Sequence, residues 1–394
     1  MVQSHKSKNI SLLDGNAAAA LGVVMSRVQV VPNFPVTPQT EIIENLAEFK
    51  SKNKWRGEFL PMESEHSVLS AAVASSACGA RTFTATSSQG LLLMHEILYV
   101  ASGMRLPIVM ANVSRAISAP ITLWCDHNDV LSQRSTGWMI FFCENNQEVL
   151  DSVIQSFKIC ENENVLLPAI VNLDGFILSY TREQISIPEQ KDVDSFLPKL
   201  KSKINLDPKT PKVLGPAVIK DYSYFRSQVH VAHRNAFDVI KDVQLEWKKK
   251  FGRSYDFVEP FMMDGAEIAL VTMGSNTTIA KAAIKKLRAK GKKVGLVKLR
   301  VFRPFPREEI KKALNKVEAV CVVDQNIAPG FGGITHPEIK SVLCERRIPV
   351  NSFIAGLGGA YVSEKDFEEI IIETFNSAKT KKEKTFWHSR FLKV

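Results

Sequence analysis

The sequence has no apolar stretch approaching the length of a membrane span, so no membrane-crossing helix is expected. Its opening octet, MVQSHKSK, is basic, but no apolar core follows it, and no secretory signal is expected there. Cysteine is sparse and scattered, at 78, 125, 143, 160, 321 and 344. There is no C-x-x-C, and no cysteine is read as standing at metal-ligand spacing from a histidine. An iron–sulfur cluster or zinc site on this chain is therefore not expected; reduced, mostly buried thiols in a cytoplasmic protein are. G-x-G-x-x-G and the Walker lysine are missing too. The one glycine-rich loop, GFGG at 330–333, reads as a strand-to-helix turn needing positive φ rather than a phosphate cradle.

Nucleic-acid signatures are also lacking: no aromatic-interleaved RNA motif, zinc finger or helix-turn-helix pattern. The formal net charge is nevertheless +10. Lysines crowd the second half, in WKKKFGR, KKLRAKGKKVG and KTKKEK. They read as solvated helix faces, or as a basic face steering an acidic protein partner, and no nucleic acid is expected to bind.

What is present is ordinary globular material, 45% hydrophobic and 23% charged. At 394 residues the chain is too long for one core, and two domains with an appendage are expected. The first part alternates strand and helix signals: VQVVPNF, a helix over 38–50, GEFLPM, a small-residue helix ending at Gly79, ARTFTATS, GLLLMHEILYVASG, LPIVMANV, a helix from 146, and NVLLPAIVNLD. This predicts a mostly parallel, doubly wound α/β sheet. Residues 182–227 are proline-rich and weakly periodic, which predicts an extended surface connector. A helix over 228–250 stops near Gly252. From about 264 a second α/β unit begins, read as four strands. The expected division is 1–181, 182–260 and 261–394.

Ligands of open α/β sheets bind beyond the carboxyl ends of the strands. The polar residues following those strands are Thr37, Glu65, Ser87, Ser88, Gln89, Arg115 and Asp174. Arg115 ends an apolar strand, where its planar fork suits either an acidic substrate or an internal ion pair with Glu63, Asp126 or Asp129. Glu65 opens a helix of very small residues, so it is either a dipole-favoured carboxylate or, with a raised pKa, an acid–base group. Spacing alone does not choose between Glu63 and Glu65. Thr37 precedes Pro38, the pattern of a helix cap and first helical residue. A capping hydroxyl still keeps its own proton to donate.

GNAAAALG, FPVTPQT, ESEHSVLSAAVASSACGARTFTATSSQGLLLMHE, ASGMRLPIVMANVSRAISAP, NLDGF, VTMGS, RVFRPFP and FIAGLGG, in this order, resemble the α subunit of pyruvate:ferredoxin oxidoreductase, of the 2-oxoacid:ferredoxin oxidoreductase family. The resemblance covers nearly the whole chain. It implies a thiamine-diphosphate-enzyme pyrimidine-binding module followed by a transketolase C-terminal-like α/β domain. In that family the glutamate matching Glu65 bonds N1′ of the cofactor's aminopyrimidine and promotes loss of the thiazolium C2 proton. This implies Glu65 rather than Glu63 as the catalytic carboxylate. Residues matching Arg115 and Thr37 hold the 2-oxoacid, and the loop Ser87, Ser88 and Gln89 lies near the cofactor rings. Asp126, His127 and Asp174 match recurrent family positions, with a structural role expected.

The G-D-G…N element that holds diphosphate and magnesium in this enzyme class is missing. The resemblance therefore implies a shared cofactor. A β subunit would carry the diphosphate/Mg2+ half-site. Partner subunits, including γ- and δ-type, would carry [4Fe-4S] clusters and coenzyme A contacts, and ferredoxin would accept the electrons. AISAP after the arginine speaks against 2-oxoglutarate relatives, and Thr37 against the oxalate relative. A branched-chain 2-oxoacid enzyme shares the threonine and arginine pattern and stays open. A non-catalytic assembly module of the same fold is the remaining alternative.

Overall fold

The computed structural model describes residues 9–215 and 217–388, so the opening octet lies outside it. Strand Val109–Ser114 is buried along its whole length, as a central parallel strand must be. Its side chains alternate: Val109, Ala111 and Val113 enter a cluster with Ala18, Val23 and Val153, and Met110 enters another with Leu69, Ala72 and Leu98. Helices therefore cover both faces of one sheet.

The strand order is Val301–Arg303, Met139–Phe142, Ala169–Asp174, Val109–Ser114, Phe83–Thr86. A parallel bridge between Thr82 and Val30 extends it to the parallel pair Val30–Asn33 and Glu58–Pro61. Among the described residues of this sheet, only Val301–Arg303 runs antiparallel, against Met139–Phe142, and it comes from the second unit. The reading of the sequence missed Met139–Phe142, because four consecutive buried apolar residues carry no alternation. The pattern KVGLVKLRV also predicts one strand over 293–301. The chain instead leaves Val294–Leu299 in the second sheet and starts Val301–Arg303 in the first.

Among the described residues the second sheet has six strands, not the expected four: Thr385–Trp387, Val350–Ile354, Ala319–Asp324, Ile268–Thr272, Val294–Leu299 and Val258–Phe261. The two additions are short edge strands of three and four residues, too brief for a periodic signal. One hydrophobic cluster contains Leu69 and Ile140 of the first unit together with Ala269, Val271 and Val320 of the second, so the units share a core.

The proline-rich stretch is not wholly extended. Glu183–Ile187 pairs antiparallel with Asn9–Leu13, and Gln190–Phe196 is helical, burying Val193 and Phe196. The long helix starts at Tyr222, earlier than expected, and ends at Phe251. Gly252 closes it at φ 74°, the left-handed cap for which glycine is suited. At GFGG the turn reading holds. Gly330 and Gly332 have φ 81° and 122°. The anion position at the next helix is taken by Asp324, which accepts the N–H groups of Thr335 (2.9 Å) and His336 (3.1 Å).

Candidate active site

The strands ending at Asn33, Pro61, Thr86, Ser114 and Asp174 deliver their following residues to one edge of the first sheet. Helix Glu65–Ala77 begins there, capped by Ser64, whose hydroxyl accepts from Ser67 N–H. Glu63 is exposed and accepts from the Ser67 hydroxyl; that bond holds its carboxyl below the usual range. Glu65 instead points inward, across the first turn of helix Ser88–Leu93. An added Cβ on Gly90 would lie 2.6 Å from Glu65 Oε1 and 2.6 Å from Thr86 Oγ1. Glycine is needed here for the close approach. Thr86 Oγ1 and the neighbouring Ser87 Oγ are buried without a hydrogen-bond partner among the described residues.

Arg115 is 6% exposed. It pairs with none of the three acids considered from sequence, and no salt bridge reaches it among the described residues. Its Nε donates to Thr122 O (2.8 Å) and its Nη1 to Thr37 O (2.9 Å). The arginine and the threonine turn are thus brought together, and the guanidinium charge is left without a carboxylate. Thr37 is not the helix cap: helix Thr40–Ser51 is preceded by Gln39, whose side chain bonds Phe34 O instead. A turn from Val36 O to Gln39 N–H lies between. Pro38 packs on Gly175, where a Cβ would meet it at 2.8 Å.

Asp129 organises this edge, a role that its sequence context does not signal beyond a possible pairing with Arg115. Fully buried, it accepts from the N–H groups of Ser88 (3.0 Å), Arg115 (3.1 Å) and Val130 (2.7 Å). Asn112 (3.1 Å) and the Ser114 hydroxyl (2.9 Å) donate to it as well. Burial pushes its carboxyl up, against those donors. Ser88 sits at φ 50° and also bonds Ala116 O at 2.8 Å. Gln89 donates to the Ser118 hydroxyl. Nothing local in the sequence marks Asp129, because its partners lie up to 41 residues away.

Asp174 faces the second unit. It accepts from Ser275 N–H (2.8 Å) and Oγ (2.6 Å) and from His127 Nε2 (2.8 Å). Burial alone would pull the His127 pKa down; the Asp174 charge and hydrogen bond outweigh it and hold it above its usual value. The imidazole is therefore a donor to a buried carboxylate, which fits a structural role. The fold also brings Cys125 to this pair, with the three ligand-type atoms within 4.8 Å of one another, a cluster the cysteine spacing did not suggest. The carboxylate there is already satisfied by three donors.

Neighbouring Asp126 is different. Burial raises its carboxyl from an ordinary 3.8 to about 6, opposed by Asn128 N–H and supported by the Asp129 charge. The folded protein holds that proton more tightly than the unfolded chain. Stability therefore falls as pH rises from about 4 to about 6. Asp126→Asn keeps the acceptor for Asn128 N–H (3.0 Å) and removes the buried charge. It is expected to stabilise the protein by on the order of 1–3 kcal/mol at pH 7.5 and by nothing near pH 4. Thermal melts of both proteins at the two pH values check this; an equal gap at both would refute the assignment.

The fold and this edge define the class: an α/β enzyme subunit with a polar half-site at the carboxyl ends of a parallel sheet, joined to a second α/β unit. Residues 22–245 match the family described as pyruvate flavodoxin/ferredoxin oxidoreductase, thiamine-diphosphate-binding, and residues 266–367 match pyruvate:ferredoxin oxidoreductase core domain II. The chain is 45% identical to pyruvate synthase subunit PorA of Methanothermobacter thermautotrophicus, over 93% of this chain and 96% of that one. It is 44% identical to ketoisovalerate oxidoreductase subunit VorA of Pyrococcus abyssi, over 96% and 97%. Its fold resembles 2-oxoglutarate:ferredoxin oxidoreductase from Magnetococcus marinus (TM-score 0.72, 17% identity, 95% of this chain and 67% of that one). The chain belongs to the pyruvate flavodoxin/ferredoxin oxidoreductase family, a family of oxidoreductases. The expected fold class, a thiamine-type pyrimidine module followed by a transketolase C-terminal-like unit, is the one observed.

The residues at the edge fit the pyrimidine end of thiamine diphosphate. A carboxylate with no hydrogen-bond partner among the described residues faces a glycine, beside two orphaned buried hydroxyls. Among the described residues the one cluster of ligand-type side chains is Cys125, His127 and Asp174, whose carboxylate is already committed.

Proposed function

We propose that this chain is the α-type subunit of a pyruvate:ferredoxin oxidoreductase. With its partners it converts pyruvate and coenzyme A to acetyl-CoA and carbon dioxide and sends the electrons through iron–sulfur clusters to ferredoxin. The observation that carries the reading is the convergence of Glu65, the Gly90 cradle and the Arg115–Thr37 pair on one sheet edge, in a chain 45% identical to a pyruvate synthase subunit.

Glu65 and the loop Ser87, Ser88 and Gln89 would hold the pyrimidine end of thiamine diphosphate. When bound, the cofactor supplies the nucleophilic carbon and the electron sink for decarboxylation. Glu65 exchanges a proton at its carboxylate. Arg115 orients the substrate carboxylate through its free fork positions. Orientation is its task, since that carboxylate leaves as carbon dioxide. The Thr37 hydroxyl donates to a substrate oxygen, and the Arg115 bond to Thr37 O makes clamp and turn move as one. A β subunit supplies the diphosphate and Mg2+ half-site. The [4Fe-4S] clusters and coenzyme A contacts come from further subunits, γ and δ in type. The free cysteines suit a reducing compartment, and we place the complex in the cytoplasm. The functional division 1–181, 182–260 and 261–394 belongs to the same proposal.

The 44% identity to a ketoisovalerate oxidoreductase subunit favours one second reading, a branched-chain 2-oxoacid enzyme. Purified complex is expected to reduce ferredoxin or viologen faster with pyruvate than with 2-oxoisovalerate at equal concentrations. The reverse order would replace the first reading with the second.

A further inference from the structure

The basic surface is not evenly spread. Of the 51 basic residues only 17 are arginines, yet one groove of about 740 Å³ is lined by Arg134, Arg226, Arg234, Arg303 and Arg307, with Lys241 the one lysine. Gly137, which also lines it, lies two residues before strand Met139–Phe142 begins. The groove therefore opens at the edge of the sheet opposite to the half-site.

Two of its cations are neutralised. Arg303 forms a two-pronged pair with Glu338 (2.7 and 2.8 Å), and Lys241 pairs with Glu309 at 3.3 Å. The other four have no carboxylate partner among the described residues. Arg134 bonds Leu131 O (3.0 Å) and Arg307 the Ser341 hydroxyl (3.3 Å). Arg226 lies over the Tyr99 ring at 5.7 Å. Arg226 and Arg234 are eight residues apart in helix Tyr222–Phe251 and so share a face. Like charges gathered in a concavity repel one another and raise a positive potential there; an anion relieves both. Glu308 is the only remaining acid in the lining. His233 brings no charge at neutral pH, since burial pulls its pKa to about 4, and it bonds Gly137 O at 3.1 Å.

We infer that this groove is a second ligand site, separate from the half-site, for a small phosphorylated nucleotide. Guanidinium forks match phosphate oxygens two at a time, which lysines do not. Phe237, Pro304 and Phe305 supply the flat apolar wall against which a base packs. The volume falls within the roughly 300–1,000 Å³ of small-molecule sites.

The test uses the purified complex containing this chain, and a second complex carrying Arg226→Ala and Arg234→Ala. Each is titrated calorimetrically with ADP, at low and at raised salt. ADP also enters any coenzyme A site, so the readout is the difference between the two complexes. The wild type is expected to show a salt-sensitive site that weakens at least tenfold in the variant, with pyruvate turnover the same in both. Equal ADP binding by the two complexes, or none by either, overturns the inference. So does loss of a partner subunit from the variant on gel filtration, which would mean that an acidic protein segment fills the groove.

Discussion

Glu65→Gln is expected to cut carbon dioxide release from pyruvate by roughly 10²–10⁴-fold, the range that one positioned acid–base group contributes, and to leave the complex assembled. The substitution keeps shape and removes only the ability to exchange a proton. It should disturb the fold little. The Ser64 cap on Ser67 N–H is untouched, and no hydrogen bond to Glu65 is lost among the described residues. The dipole contribution of a first-turn carboxylate is about 0.3–1 kcal/mol. Turnover and subunit composition should be measured on the same preparation. Undiminished turnover would sink the catalytic assignment and favour the assembly-module reading. Lost turnover with lost subunits would leave the residue structural.

Glu148→Ala should destabilise the protein by about 3–5 kcal/mol. Glu148 is fully buried in helix Asn146–Cys160. Its carboxylate accepts from Lys298 Nζ and Arg300 Nε, each at 2.8 Å, and both cations are themselves buried. Burial would raise its pKa; the two cations overcome this and hold it below the usual carboxylate range. Removing it leaves two cations in a low-dielectric interface. Glu144 (3.2 Å) and Glu259 (3.1 Å) still reach Lys298, but no other acid reaches Arg300 among the described residues. A depressed folded pKa gives stability that is present above the ordinary carboxylate range and lost as pH falls through the folded value. The gap between wild type and variant should be full at pH 7.5 and narrow in acid. Urea unfolding of both at pH 7.5 and pH 4 measures it; a gap under about 1 kcal/mol at pH 7.5 would show that the pair contributes little.

Which parts were readable from sequence follows from how local their causes are. The strands of the first sheet were legible where a glycine, a proline or a helix signal bounded them. Gly252 announced the end of its helix by the same kind of local rule. Met139–Phe142 and the two edge strands of the second sheet were not legible, because burial on both faces or extreme shortness erases periodicity. Glu65 and Arg115 were visible as charges beside strand ends. Thr37 was misread as a cap because T-P at a helix start is a strong local pattern; the turn held by Gln39 and Phe34 overrode it. Asp129 was beyond local reading altogether, since its five donors come from three separate segments of the chain.

Strand Val301–Arg303, lent by the second unit to the first sheet, bears on how such a polypeptide can be divided. Cut between the units, the first would expose the edge of Met139–Phe142, an all-apolar strand with open N–H and C=O groups, the kind of edge that recruits other chains. Gene fission or domain shuffling at that junction would yield an aggregating half.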